Sequence, residues 1–108
     1  MRHVLNDRRS LALNEWVAAH LDDAMVERAR QRLQRWTASG VGIHPERARL
    51  WQELLDGDRA DLLHVLTSDD QRSAMLRLDA PFAGEMPPRE RAELWRRMLL
   101  EWQQEFGR

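Results

Sequence analysis

Apolar residues recur at three- and four-residue steps through most of this chain, and all five tryptophans fall on such stripes. Trp16 follows Ala12 by one turn. Trp36 closes the series Val26, Ala29, Leu33, and Trp51 stands between Ala48 and Leu54 and Leu55. Trp95 and Trp102 share a stripe with Ala92, Met98, Leu99 and Phe106. This spacing marks helices that bury one side. No segment alternates in the two-residue manner of a strand. The pattern predicts an all-α protein, a compact bundle of about six helices with a long C-terminal helix. A chain of 108 residues is long enough for one core and too short for two, so a single helical domain over 1–108 is expected.

Local signals place the helix ends. The first helix is expected from about Asp7 to Leu21, capped by Asn6. Asp22 and Asp23 suit the start of a second, where negative charge complements the macrodipole, and Gly40 suits its end. Gly40-Val41-Gly42-Ile43 reads as a flexible connector. His44 and Pro45 open a third helix that ends near Gly57, and Asp58 opens a short fourth carrying Leu62, Leu63, Val65 and Leu66. Ser68 and Gln71 have capping-box spacing, so a fifth helix is expected from Asp69 to about Leu78. Pro81, Gly84, Pro87 and Pro88 forbid continuous helix from Asp79 to Pro88, and Phe82 and Met86 are expected to pin that loop to the core. Pro88 then opens the last and strongest helix, to about Phe106.

Composition changes this picture little. Hydrophobic residues make up 43% and charged residues 32%, as in an ordinary globular protein. No apolar run approaches a membrane span, and the N-terminus lacks the apolar stretch of a signal peptide, so cytoplasmic residence is expected. With no cysteine, disulfides, thiolate metal sites and a thiol nucleophile are excluded.

Charge is more informative. All 17 basic residues are arginine and none is lysine, which fits GC-rich coding and, alternatively, selection for the planar guanidinium fork. Net charge is only −1, unlike a dedicated nucleic-acid binder. Arg28, Arg32 and Arg35 step by four and three along one helix face, and no acidic residue occurs from Arg28 through Pro45. Such a face either grips phosphates or an acidic partner, or is the solvated side of an amphipathic helix. Residues 44–88 carry five arginines against nine acids, net −4, while the remainder nets +3. That asymmetry fits docking to a partner or neutralisation between faces of the same molecule. A helix-turn-helix between the second and third helices would need a longer turn than usual, and Glu46, Arg47 and Arg49 make a mixed recognition surface.

Catalytic and cofactor signatures are lacking. His3, His20, His44 and His64 include no pair at helical ligand spacing. His20 with Asp22 and Asp23 is the one arrangement that resembles a metal site, and those aspartates are better explained as a helix start. His44 is expected to cap its helix and His64 to lie at the margin of the core. Ser10, Ser39, Ser68 and Ser73 lack a partnered base, and Glu90, Glu93, Glu101 and Glu105 alternate with arginines as surface ion pairs do. The inventory points away from an enzyme, and no cofactor or metal is expected.

Apolar side chains, by contrast, are in surplus. Leu94, Trp95, Met98, Leu99, Leu100, Trp102 and Phe106 cover more than one face of the last helix. Either that helix is central and fully buried, or one side packs in the fold while another meets a partner or a second copy. The order Val26-Glu-Arg-Ala-Arg-x-Arg-Leu-x-Arg-Trp36, His44-Pro45, Trp51, Leu54-Leu55, Leu76-Arg77, Pro81-Phe-Ala-Gly84, Pro88-Arg-Glu-Arg91 and Trp95 resembles small all-helical proteins of GC-rich bacteria encoded beside toxin genes. The resemblance covers about Ser10 to Arg97 and implies an antitoxin-like protein, with the Pro-Phe-Ala-Gly loop as its signature. The expectation is a non-enzymatic module that neutralises a cognate protein by direct contact. Arg28, Arg32 and Arg35 would supply charge complementarity, and Phe82, Trp95, Met98 and Trp102 apolar anchoring. The alternative is a small DNA-binding transcriptional regulator that uses the same arginine face as a homodimer through the last helix.

Overall fold

A computed structural model describes residues 2–40 and 42–107, with residues 2–6 described by their backbone alone. Six helices follow one another: α1 (Arg2–His20), α2 (Asp23–Ser39), α3 (Pro45–Asp56), α4 (Arg59–Thr67), α5 (Gln71–Arg77) and α6 (Pro88–Phe106). No strand occurs among the described residues, so the all-α class with a long last helix holds.

Helix ends follow local chemistry. Asp22 caps α2 by accepting a 2.7 Å hydrogen bond from the Met25 N–H, and Gly40 ends the helix at φ +70°, where a side chain would be strained. Pro45 occupies the first turn of α3, and the His44 ring nitrogen accepts from the Glu46 N–H. Two ends differ from expectation. α1 begins at Arg2, so Asn6 lies inside the helix and is not its cap. α5 is capped by Asp70, which accepts from the Ser73 N–H at 2.7 Å; Ser68 instead donates its hydroxyl to Asp70. An aspartate two residues closer to the helix takes the capping place from Ser68. Of the connector after α2, Val41 lies outside the described residues.

The core lies where α1 to α5 meet. Val17 of α1, Met25, Val26, Ala29 and Leu33 of α2, and Ala48, Trp51 and Leu55 of α3 join Leu62, Val65, Leu66 and Leu76 in one buried cluster. Trp51 is its pivot. Its ring is fully buried, its Nε1–H donates to the Leu76 carbonyl at 2.9 Å, and its edge meets Phe82. A buried indole N–H needs such an acceptor. Pro81, Phe82 and Met86 are buried too, so the loop between α5 and α6 is stitched to the core as expected.

One charged side chain is buried with them. Arg77 is only 5% exposed, and its Nη1–H groups donate to the carbonyls of Val65 and Ser68 at the C-terminal end of α4. A cation at the negative end of a helix, donating to otherwise free carbonyls, is favourable. α6 is different from the other helices. Among the described residues it packs substantially against no helix but α1, and none of its residues is buried. The chain is accordingly elongated, 45 × 27 × 24 Å.

Candidate functional site

Two surfaces carry the residues singled out by sequence. The first is the arginine face of α2. Arg28 lies against the loop after α5: its Nη2–H and Nε–H donate to the two oxygens of the Glu85 carboxylate, at 2.7 and 3.0 Å. Arg32 donates from Nη1 to the Pro81 carbonyl at 2.8 Å and brings Nη2 within 3.8 Å of Glu85. The Glu85 side chain is only 7% exposed, and hydrogen bonding from Arg28 holds its carboxyl below the usual carboxylate range despite burial. Fork-shaped, charge-assisted pairing of this kind fixes geometry as well as energy. Arg35 is exposed and has no hydrogen-bond or ion-pair partner among the described residues.

Arg30, off that stripe, ties α2 to α3 by donating to Asp56 and to the Leu55 carbonyl. The same stretch of α2 thus holds two neighbouring segments in place. Phe82, which sequence paired with the apolar anchors, sits 2% exposed beneath the loop that Arg28 and Arg32 secure.

The second surface is α6. It runs antiparallel to α1: Arg8, early in α1, pairs with Glu105 at 2.8 Å, whereas Trp16, late in α1, shares a cavity wall with Glu90 and Glu93. Glu105 is therefore an interhelical partner, not a member of an intrahelical ladder. The Arg8 guanidinium also lies 5.6 Å from the Trp102 ring and 5.5 Å from Phe106, and Arg9 lies 5.7 Å from Trp95. Trp95, Met98 and Trp102 are half-buried along this seam. Leu99 and Phe106 remain 40% and 44% exposed on the flank of the same stripe, and Leu100 is exposed as well. The fully buried reading of this helix fails, because one neighbouring helix covers one side only.

The histidines are engaged locally. His20 stacks on Trp16 at 3.9 Å between ring centroids, its Nδ1 2.8 Å from the Trp16 carbonyl. His64 is exposed, outside the core margin where it was expected, with Nε2 3.0 Å from Asp70. Hydrogen bonds from Ser68 and Ser73 hold the Asp70 carboxyl below the usual carboxylate range. No group of three potential ligands among the described residues is placed to hold a metal ion.

Sequence reasoning missed an apolar groove between α2 and α3. Leu33, Trp36, Ile43, Pro45 and Ala48 line about 340 Å³ there. Its signal is Trp36 itself, which closes an apolar stripe yet keeps its ring only half-buried. No protein-family model matches this chain, and neither curated proteins nor solved structures offer a match.

Proposed function

We propose that this chain is a non-enzymatic, cytoplasmic protein-binding module of the antitoxin type, which engages its partner through α6. The observation that carries this reading is the half-covered last helix: Trp95 and Trp102 pack on α1, while Leu99 and Phe106 stand exposed beside them. Exposed apolar side chains beside half-buried tryptophan and methionine have the chemistry of an interface centre. The antitoxin class comes from the resemblance carried by the Val26–Trp36 and Pro81–Gly84 stretches.

The DNA-binding alternative draws less support. It needs the guanidinium groups of Arg28 and Arg32, and both are directed at Glu85 and the Pro81 carbonyl. A phosphate would have to displace an internal carboxylate.

The decisive experiment co-expresses the chain with the product of its adjacent gene. Wild type is expected to relieve growth arrest and to copurify with that product, whereas Leu99→Glu with Phe106→Glu should stay helical and do neither. A double variant that still copurifies and rescues removes α6 from the interface. A bare homodimer that shifts DNA, with affinity falling steeply as salt rises, would replace the module with the regulator.

A further inference from the structure

The two flanks of α6 differ in charge. Arg91, Leu94, Trp95, Met98 and Trp102 are half-buried and form the seam. The residues that follow them, displaced by about 100° round the helix, are exposed: Ala92, Arg96, Leu99 and Gln103. Arg89 and Phe106, exposed too, extend this line at both ends. It therefore runs in steps of three and four over about five turns, about 26 Å. On the opposite flank stand Glu90, Glu93, Arg97 and Glu101. Glu90, Glu93 and Arg97 share a cavity with Trp16 and Met86, whereas Trp95 shares one with Leu78. The carboxylates of α6 thus lie on one flank, and the Leu99 flank carries arginine and no acid.

Those arginines are unanswered within the chain. Arg28, Arg30, Arg47, Arg49 and Arg59 each engage a carboxylate. Arg89 and Arg96 have no hydrogen-bond or ion-pair partner among the described residues. Arg89 also stands in the first turn of α6, at the positive end of the helix dipole, where a cation is disfavoured. A residue that breaks a local rule without compensation inside the fold points to a contact outside it.

We propose that the partner covers this flank with an acidic amphipathic helix, its carboxylates against Arg89 and Arg96 and its apolar residues against Leu99 and Phe106. The inference rests on α6 being the partner surface and adds the chemistry of what lies there. Steps of three and four are what a second helix needs to pack along the first. Leu78, 70% exposed and beside Trp95, supplies a second apolar edge on the same side. A nucleic acid would answer the arginines but set charged backbone against Leu99 and Phe106. A second copy of this stripe brings no carboxylate, so self-pairing would leave both arginines unanswered.

The test titrates the whole chain with two designed helical peptides as long as the stripe. Both carry leucines at steps of three and four, flanked by glutamates in one and by lysines in the other. Binding is read in two-dimensional NMR at the Ala92, Leu99 and Gln103 amides. The glutamate peptide is expected to shift these saturably and to bind at least about tenfold more tightly than the lysine peptide. With a net charge of −1 the chain has no general preference for an anion, so that preference reports the flank. Arg89→Glu with Arg96→Glu breaks no contact inside the chain; it is expected to stay folded and to reverse the preference. A preference retained in that variant overturns the inference. So do equal binding of the two peptides, no binding up to about 1 mM, or shifts centred on the groove between α2 and α3. Self-association through this flank, lost in Leu99→Glu, would put a second copy there in place of the acidic helix. Copurification retained by Leu99→Glu with Phe106→Glu removes the α6 reading itself, whereas charge-blind peptide binding at α6 removes only the acidic helix.

Discussion

Trp51 and Trp102 occupy equivalent places in the sequence pattern, each on the apolar stripe of an amphipathic helix, yet the two regions are built differently. The Trp51 ring is fully buried in a cluster to which α1, α2, α4, α5 and the loop bearing Phe82 all contribute, and it bonds the Leu76 carbonyl and meets Phe82. Around Trp102 the described residues supply one neighbouring helix, α1. The contacts there are Arg8 over the ring, Phe106 one turn further along at 4.5 Å, and an exposed ion pair with Glu105. Helical periodicity reports which side of a helix is apolar. It does not report how many elements cover that side, and coverage decides whether a tryptophan is a core pivot or a surface waiting for a partner.

The largest effect that would sharpen the contrast comes from truncating each ring. Trp51→Ala removes a fully buried side chain and leaves the Leu76 carbonyl without its donor. It is expected to cost about 3–5 kcal/mol, a large part of the stability of a domain this size. Trp102→Ala strips a half-buried ring from a two-helix seam, and a loss of about 1–2 kcal/mol is expected from its smaller burial. Urea unfolding followed by circular dichroism measures both. Equal losses would mean that α6 belongs to the core after all, and the interface reading would lose its basis.

The tether between α2 and the loop comes next. Glu85→Gln keeps the shape but removes the charge that Arg28 and Arg32 face, with an expected loss of about 1–2 kcal/mol. Acid should reproduce it. The folded Glu85 carboxyl titrates below the unfolded value of about 4.3, chiefly through the Arg28 hydrogen bonds. Unfolding therefore takes up a proton at low pH. The contribution of Glu85 is complete above pH ~4.3 and is lost as pH falls through the lower folded value. Wild type minus Glu85→Gln stability, measured from pH 7 downward, should shrink over that interval. A pH-independent difference would mean that the loop is held by Phe82 and Pro81 alone.

Much of this architecture is legible in the residues themselves. Asp22, Gly40, His44-Pro45 and Pro88 mark helix ends by local rules, and the structure honours each. The burial of Phe82 and Met86 follows from their being the only large apolar residues in a proline-rich loop. What could not be read depends on pairings across long stretches of chain. Arg28 meets Glu85 57 positions away and Arg32 joins it, which decides that two of the three arginines on that face serve a tether. Arg77 looks like any cation closing a short helix, yet it turns to the carbonyls of α4 and is buried. Ser68 lost the cap of α5 to Asp70 for a local reason: both residue types cap well, and propensity alone does not rank them.

The smallest expected effect tests how the α1–α6 seam is held. Arg8 bridges Glu105, Trp102 and Phe106 from a half-exposed position, where solvent and salt screen its charge. Arg8→Ala is therefore expected to leave the global unfolding midpoint nearly unchanged, while amide hydrogen exchange speeds up in the last turns of α6. Raising salt to about 1 M should produce part of the same acceleration in wild type and little more in the variant, since one screened interaction accounts for both. Exchange elsewhere, above all in α3 around Trp51, should not move. If instead the whole chain exchanges faster together, α6 unfolds with the core as one cooperative unit, and its exposed flank is not a separately adjustable surface. Local loosening confined to α6 would give the opposite picture. A helix held by one neighbour and one screened arginine can gain further contacts from a partner without any rearrangement of the core beneath it.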